Sequence, residues 1–198
     1  MKRALLIAST VAALAFAGAA SAQSVTGTVN VTGSVAAKCF VVGGGDPSSF
    51  SGTIALGELA SDGTNGPEGT LRTNLPTAAE TVGYEATAQV NCTSSNVAVS
   101  LLATKLDAGL GVPAGSYTST VNYTAGLNLL LDSTGTGAFT YNTLTASGAT
   151  TGTTGAPLQN AANNVTVSVW NFGSQGGPLL RAATTYASTV TVNISPAT

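Results

Sequence analysis

Gln23-Ser24-Val25-Thr26-Gly27-Thr28-Val29-Asn30-Val31-Thr32-Gly33-Ser34-Val35 alternates without a break. Val25, Gly27, Val29, Val31, Gly33 and Val35 fall on one side; Ser24, Thr26, Thr28, Asn30, Thr32 and Ser34 fall on the other. Side chains of an extended chain switch faces at every residue, so the pattern predicts a strand with one buried face. The same alternation returns at residues 81–92, with Val82, Tyr84, Ala86, Ala88, Val90 and Cys92 on one side. Further strands are predicted at 53–58, 96–103, 116–124, 126–131, 165–172 and 185–194. In the last of these Tyr186, Val190, Val192 and Ile194 share a face. No window after residue 22 carries a long 3.6-residue apolar period with a cap and a stop.

Turn-forming clusters punctuate these runs, at Gly43-Gly44-Gly45-Asp46-Pro47, at Asp62-Gly63-Thr64-Asn65-Gly66-Pro67 and along 147–155. The Gly/Thr/Ser stretch 147–155 reads as a long loop. No period of 20 to 50 residues appears, which disfavours a solenoid or propeller. Short strands joined by turns predict an all-β sandwich.

Met1 to Ala22 reads as a secretory leader. Lys2 and Arg3 are followed by an apolar run from Ala4 to Ala17 and by Ala20-Ser21-Ala22, a small-x-small cleavage pattern. The alternative, a membrane anchor, has a run that is short for a span. The expected product begins at Gln23, is exported, and does not insert into the membrane after cleavage. Its alternating strand then lies directly at the new chain end. An apolar strand in that position needs a cover, from its own domain or from a partner.

The 198-residue chain has six Lys and Arg, eight Asp and Glu, and no His. Losing Lys2 and Arg3 with the leader deepens the acidic balance, so no basic footprint for nucleic acid or anionic membrane remains. The remaining length suits one sandwich-type domain. Cys39 and Cys92, 53 positions apart, allow one intramolecular pairing in an exported chain. That bridge would contribute about 4 kcal/mol in the chain-entropy model. A pair of free or metal-binding thiols is the alternative, with no histidine or third cysteine to complete a site.

The order of these parts resembles the spore coat protein U-like domain of archaic chaperone–usher pilus subunits. The resemblance lies in Val25-Thr26-Gly27-Thr28-Val29-Asn30-Val31, a first cysteine in Ala37-Lys38-Cys39-Phe40, and Gly52-Thr53-Ile54-Ala55-Leu56-Gly57. It continues with Gln89-Val90-Asn91-Cys92 and the terminal Tyr-x-x-Thr-Val-Thr-Val from Tyr186 to Val192. It covers both ends and the first half of the mature chain, and residues 125–165 carry none of its motifs. Ser188, Thr185 and the tail Ser195-Pro196-Ala197-Thr198 depart from the family pattern.

The resemblance implies an immunoglobulin-like sandwich that lacks its last strand. A periplasmic chaperone first fills the open groove. In the fibre, the N-terminal extension of a neighbouring subunit, identical or different, replaces it by β-augmentation. The implied division is a leader at 1–22, a donor-strand extension at 23–30 and the domain at 31–198. Val25, Gly27, Val29 and Val31 would enter the neighbour's groove, while Tyr186, Val190, Val192 and Ile194 would line this subunit's own. Partners would be other subunits, the chaperone and an outer-membrane usher. The destination would be the cell surface, in adhesion or biofilm formation. A complete, non-polymerising secreted adhesion module is the alternative.

Catalytic signals are weak. Absence of histidine removes the commonest general base and metal ligand. Lys105 with Asp107, and Glu80 with Glu85, lack a nucleophile motif beside them and read as surface charges. Gly43-Gly44-Gly45 lacks the Gly-Lys-Ser/Thr of a phosphate loop. Asp62, Asn65 and Glu68 do not have EF-hand spacing. The expectation is a protein without catalysis or cofactor. Trp170 and Phe172 fall opposite Val165, Val167 and Val169; the pair reads as cover for a core edge, with sugar contact as the alternative.

Overall fold

Twelve strands and no helix make up the residues described by the computed structural model, 26–111, 115–132, 135–175 and 178–197. They are β1 Cys39–Val41, β2 Glu85–Ala88, β3 Val90–Cys92, β4 Val97–Ala103, β5 Leu106–Asp107 and β6 Tyr117–Thr118. There follow β7 Thr120–Leu130, β8 Thr136–Asn142, β9 Thr150–Thr153, β10 Val165–Ser174, β11 Leu179–Leu180 and β12 Val190–Pro196. The strands belong to the compact unit Val35–Thr198.

β7 organises the larger sheet because it is the longest strand and places an apolar residue at every second position from Val121 to Leu129. Val121, Tyr123, Ala125, Leu127 and Leu129 are all buried on one face. One edge of β7 pairs with β10, which pairs in turn with β2; the other edge pairs with β5 and β8, all antiparallel. A three-stranded antiparallel sheet has the order β12-β4-β9. Val97, Val99, Leu101 and Ala103 of β4 join the residues of β7 and β10 in one apolar cluster. Fully burying each such Val or Leu stabilises by about 1.5–3 kcal/mol, enough to offset the backbone ordering of a residue at about 1–2 kcal/mol. The small pairs are β1 with β3, antiparallel, and β6 with β11, parallel.

The two larger sheets meet where β8 approaches β9. Thr150 Oγ1 donates to the Thr140 carbonyl at 2.9 Å. Phe139 lies so close over Gly152 that a Cβ there would sit 2.7 Å from its ring. Nothing comparable joins β12 to β2, so that side of the molecule stays open among the described residues.

Several predicted elements change on inspection of the fold. Residues 81–92 form two strands, β2 and β3, and Val82 is 86% exposed instead of inward. The runs 116–124 and 126–131 do not divide at residue 125: Tyr117–Thr118 is β6, and β7 continues through Gly126 to Leu130. The 147–155 stretch contains β9, because threonine pairs as readily as valine once β4 offers an edge. Residues 53–58 enter no ladder. The final strand starts at Val190, not at 185.

Two polar details explain local geometry. Asn164 is fully buried, and its Nδ2 donates to the Val90 and Gln159 carbonyls at 2.7 and 2.6 Å. Its Oδ1 accepts from Val90 N at 2.9 Å, so one amide side chain acts as a strand partner for β3. In β10 a bulge shifts the register between Trp170 and Gly173, with Asn171 at φ 54°. The extra residue turns Phe172 to the inner face, where it stacks on Tyr123 at 5.7 Å. Trp170 remains on the outer face, over Gly126, where a Cβ would meet the indole at 2.4 Å. The expected aromatic pair is thus split across the sheet.

Candidate binding groove

Antiparallel pairing lets a strand's two edges be assigned. Thr104 N donates to the Thr189 carbonyl, and Thr189 N donates to Thr104 Oγ1, both at 3.0 Å. Ala197 N donates to the Asn96 carbonyl at 3.1 Å. Odd-numbered residues of β12 therefore face β4, and the backbone groups of Val190, Val192 and Ile194 point to the other edge. No strand among the described residues pairs there. The edge ends at Pro196, whose nitrogen carries no hydrogen, a position that an edge strand tolerates.

A groove of about 1120 Å³ runs along this free edge. Residues 181–192 line one side, and residues 50–52 and 54–60 line another. Leu106, Tyr123, Val167, Val169, Phe172 and Leu180 supply apolar surface from the core. A smaller hollow of about 340 Å³ shares Phe50, Thr191 and Val192, and reaches Ile194 and β1. Val190, Val192 and Ile194 are only half-buried although they pack on the core, so their side chains are left partly uncovered.

Tyr123 gives the groove its main polar group. Its hydroxyl is hydrogen-bonded to Ser188 Oγ, which donates to the Thr104 carbonyl at 2.6 Å. Burial pushes the Tyr123 hydroxyl above the usual tyrosine range, and the Ser188 hydrogen bond opposes this in part. Tyr186 lies in the irregular segment before β12, and its hydroxyl donates to the Arg181 carbonyl at 2.7 Å. Burial raises it as well, against the pull of that hydrogen bond and of the Arg181 charge. Both hydroxyls are therefore neutral donors at physiological pH.

Residues 51–58 form a side of the groove without being a strand. Ile54 and Leu56 are half-buried and pack on the core. Gly52 rests on the Ala86 methyl, where a Cβ would approach to 2.8 Å. Arg72 Nη2 donates to the Leu56 carbonyl at 2.5 Å and lies 3.4 Å from the Tyr84 hydroxyl.

The sequence candidates distribute as follows. Cys39 and Cys92 are directly opposite in the β1–β3 ladder and form a disulfide, with Cα atoms 4.0 Å apart. Tyr186, Val190 and Val192 line the groove and Ile194 the hollow beyond it. Gly27, Val29 and Val31 lie in a stretch without strand pairing, and Val29 and Val31 are 85% and 91% exposed. Val25 and the leader fall outside the described residues. Asp62 accepts from Thr64 N at 3.0 Å in a local turn, which holds its carboxyl below the usual range.

Tyr123, Phe172 and Phe50 were not legible as groove residues. Tyr123 and Phe172 belong to strands far apart in sequence and meet only through pairing and a bulge. No family model, curated protein or solved structure matches the chain.

Proposed function

We propose that the chain is a structural subunit of a bacterial surface pilus or fimbria, assembled through a periplasmic chaperone and an outer-membrane usher. On this reading the two larger sheets are the halves of an immunoglobulin-like sandwich whose last strand is supplied by another subunit. The carrying observation is the free edge of β12. Val190 and Val192 present unpaired backbone groups beside a groove with apolar side chains from the core, and Ile194 does so beside the adjoining hollow, the combination that β-augmentation requires. Thr, Val and Gly alternate in residues 23–35, and exposed Val29 and Val31 supply a strand of the right chemistry.

Deletion of residues 23–30 tests the reading. The shortened chain should remain soluble with its chaperone but fail to form SDS-resistant multimers. A full-length chain that never polymerises, and a deletion variant that folds alone as a stable monomer, would instead identify a secreted binding module.

A further inference from the structure

We propose that the outer face of the larger sheet carries a binding site for a neutral sugar, built around Trp170, Asn128 and Glu80. The site lies apart from the groove and does not depend on what the edge of β12 receives.

Trp170 is held in place without serving the core. Phe172 packs against the apolar core and Trp170 does not, and the indole is left half-buried on the polar side of the sheet. Two carbons of its six-membered ring rest so close to Gly126 that a Cβ there would collide with them. With the Asn171 amide oriented to suit, the indole Nε1 donates to Asn171 Oδ1 at 3.1 Å, and Asn171 Nδ2 donates to the Thr77 carbonyl at 3.0 Å. Asn171 N takes the Pro76 carbonyl at 2.9 Å, which ties the bulge to the same segment. The ring is therefore fixed at both ends, with part of it open to solvent.

Hydrogen-bonding groups surround the indole. The ladder register sets Ser168 and Thr140 beside Gly126, and Thr166 beside Asn128, all on this face. Asn128 lies two residues along β7 from Gly126, about 7 Å away at strand spacing, a span that one pyranose ring bridges. Its Nδ2 donates to Glu80 Oε1, while its Oδ1 is buried without a hydrogen-bond partner. A shielded acceptor with no donor is unfavourable, and a ligand hydroxyl entering between Asn128 and Glu80 would remove that cost. Glu80 holds φ 55°, a conformation that residues with a Cβ seldom adopt and that gathers at ligand clamps.

The ligand class follows from these groups. The electron-rich face of an indole attracts C–H groups, and hydroxyl, amide and carboxyl groups around it pair with hydroxyls. A pyranose offers both, with C–H groups on one face and hydroxyls at its rim. β2, β7, β8 and β10 contain no Lys or Arg, whereas Glu85 lies beside Ser168 and Glu80 beside Asn128. That balance disfavours an acidic sugar or a phosphate. A purely apolar partner would leave Asn128 Oδ1 unpaired.

Trp170 is the only tryptophan of the chain, so its fluorescence reports the site directly. The test titrates the full exported chain with methyl β-D-galactopyranoside, methyl β-D-glucopyranoside and methyl N-acetyl-β-D-glucosaminide. At least one should shift the emission to shorter wavelength and cut acrylamide quenching about twofold, while glycerol at the same hydroxyl concentration should do neither. Asn128→Ala should leave the emission of the free chain unchanged and weaken the sugar response about fivefold, the loss of one hydrogen bond. Trp170→Ala, followed by calorimetry with the same glycoside, should show no binding. No response of the folded parent chain to any of the three glycosides would overturn the site. An equal response in the parent and in Asn128→Ala would do so as well, as would a response to N-acetylneuraminic acid and not to the neutral glycosides.

Discussion

At the scale of single residues, buried polar groups decide more than the apolar ones around them. Asn164 satisfies both backbone groups of Val90 and the Gln159 carbonyl from a site without solvent contact. Asn164→Ala leaves those groups buried and unpaired. Stability measured by urea unfolding should fall by about 3 kcal/mol, against less than about 1 kcal/mol for Asn163→Gly beside it, where glycine keeps the φ of 57°. Full burial also bars Asn164 from carrying a glycan, although it opens an Asn-x-Thr triplet. Tyr123 predicts a pH dependence whose sign is fixed by its environment. Its folded value lies above the unfolded one, so its contribution is complete below about pH 10 and is lost as pH rises through the folded value. Urea midpoints between pH 9 and 12, a range chosen to bracket the roughly pH 10 reference value, should fall less steeply in Tyr123→Phe. Some slope should remain, because Tyr186 is raised in the same direction.

At the scale of elements, alternation was a sound guide wherever a neighbouring strand completed the pairing. Residues 97–103 and 165–170 could be read directly, because one face of each is valine, leucine or alanine and is buried. β9 could not, since Thr150-Thr151-Gly152-Thr153 carries no apolar face and is held by the β4 ladder and by Phe139. Residues 53–58 erred the other way, with the side-chain pattern of a strand and no pairing partner. The groove was half legible for the same reason: its β12 side is a local pattern, whereas Tyr123 and Phe172 depend on a bulge. That bulge makes a sharp prediction. Asn171 holds φ 54°, a conformation that a β-branched residue resists by about 1–2 kcal/mol. Asn171→Val should lower stability by that amount and loosen the Phe172–Tyr123 stack, seen as a change in near-ultraviolet circular dichroism. Asn171→Gly should leave both nearly unchanged; equal losses in the two variants would mean that the side chain, not the backbone, sets the bulge.

At the scale of the whole molecule, the open side separates two properties that usually travel together, stability and assembly. β12 keeps its ladder to β4 through odd-numbered residues and offers even-numbered ones to a partner. Proline removes a single backbone donor, so neighbouring proline substitutions read the two edges independently. Thr191→Pro removes a donor that faces β4 and should destabilise the folded chain by about 3 kcal/mol. Val192→Pro removes a donor that faces the groove, so the folded chain should lose little stability, yet multimers should no longer form. With only 7% of residues charged, assembly of the unsubstituted chain should vary little with salt, since main-chain hydrogen bonds and apolar contact drive it. The measurement is paired: urea unfolding for the fold and SDS-resistant ladders for the polymer. Val192→Pro multimers as durable as those of the parent chain would show that β12 does not receive the incoming strand. Loss of the fold in Val192→Pro but not in Thr191→Pro would reverse the assignment of its edges.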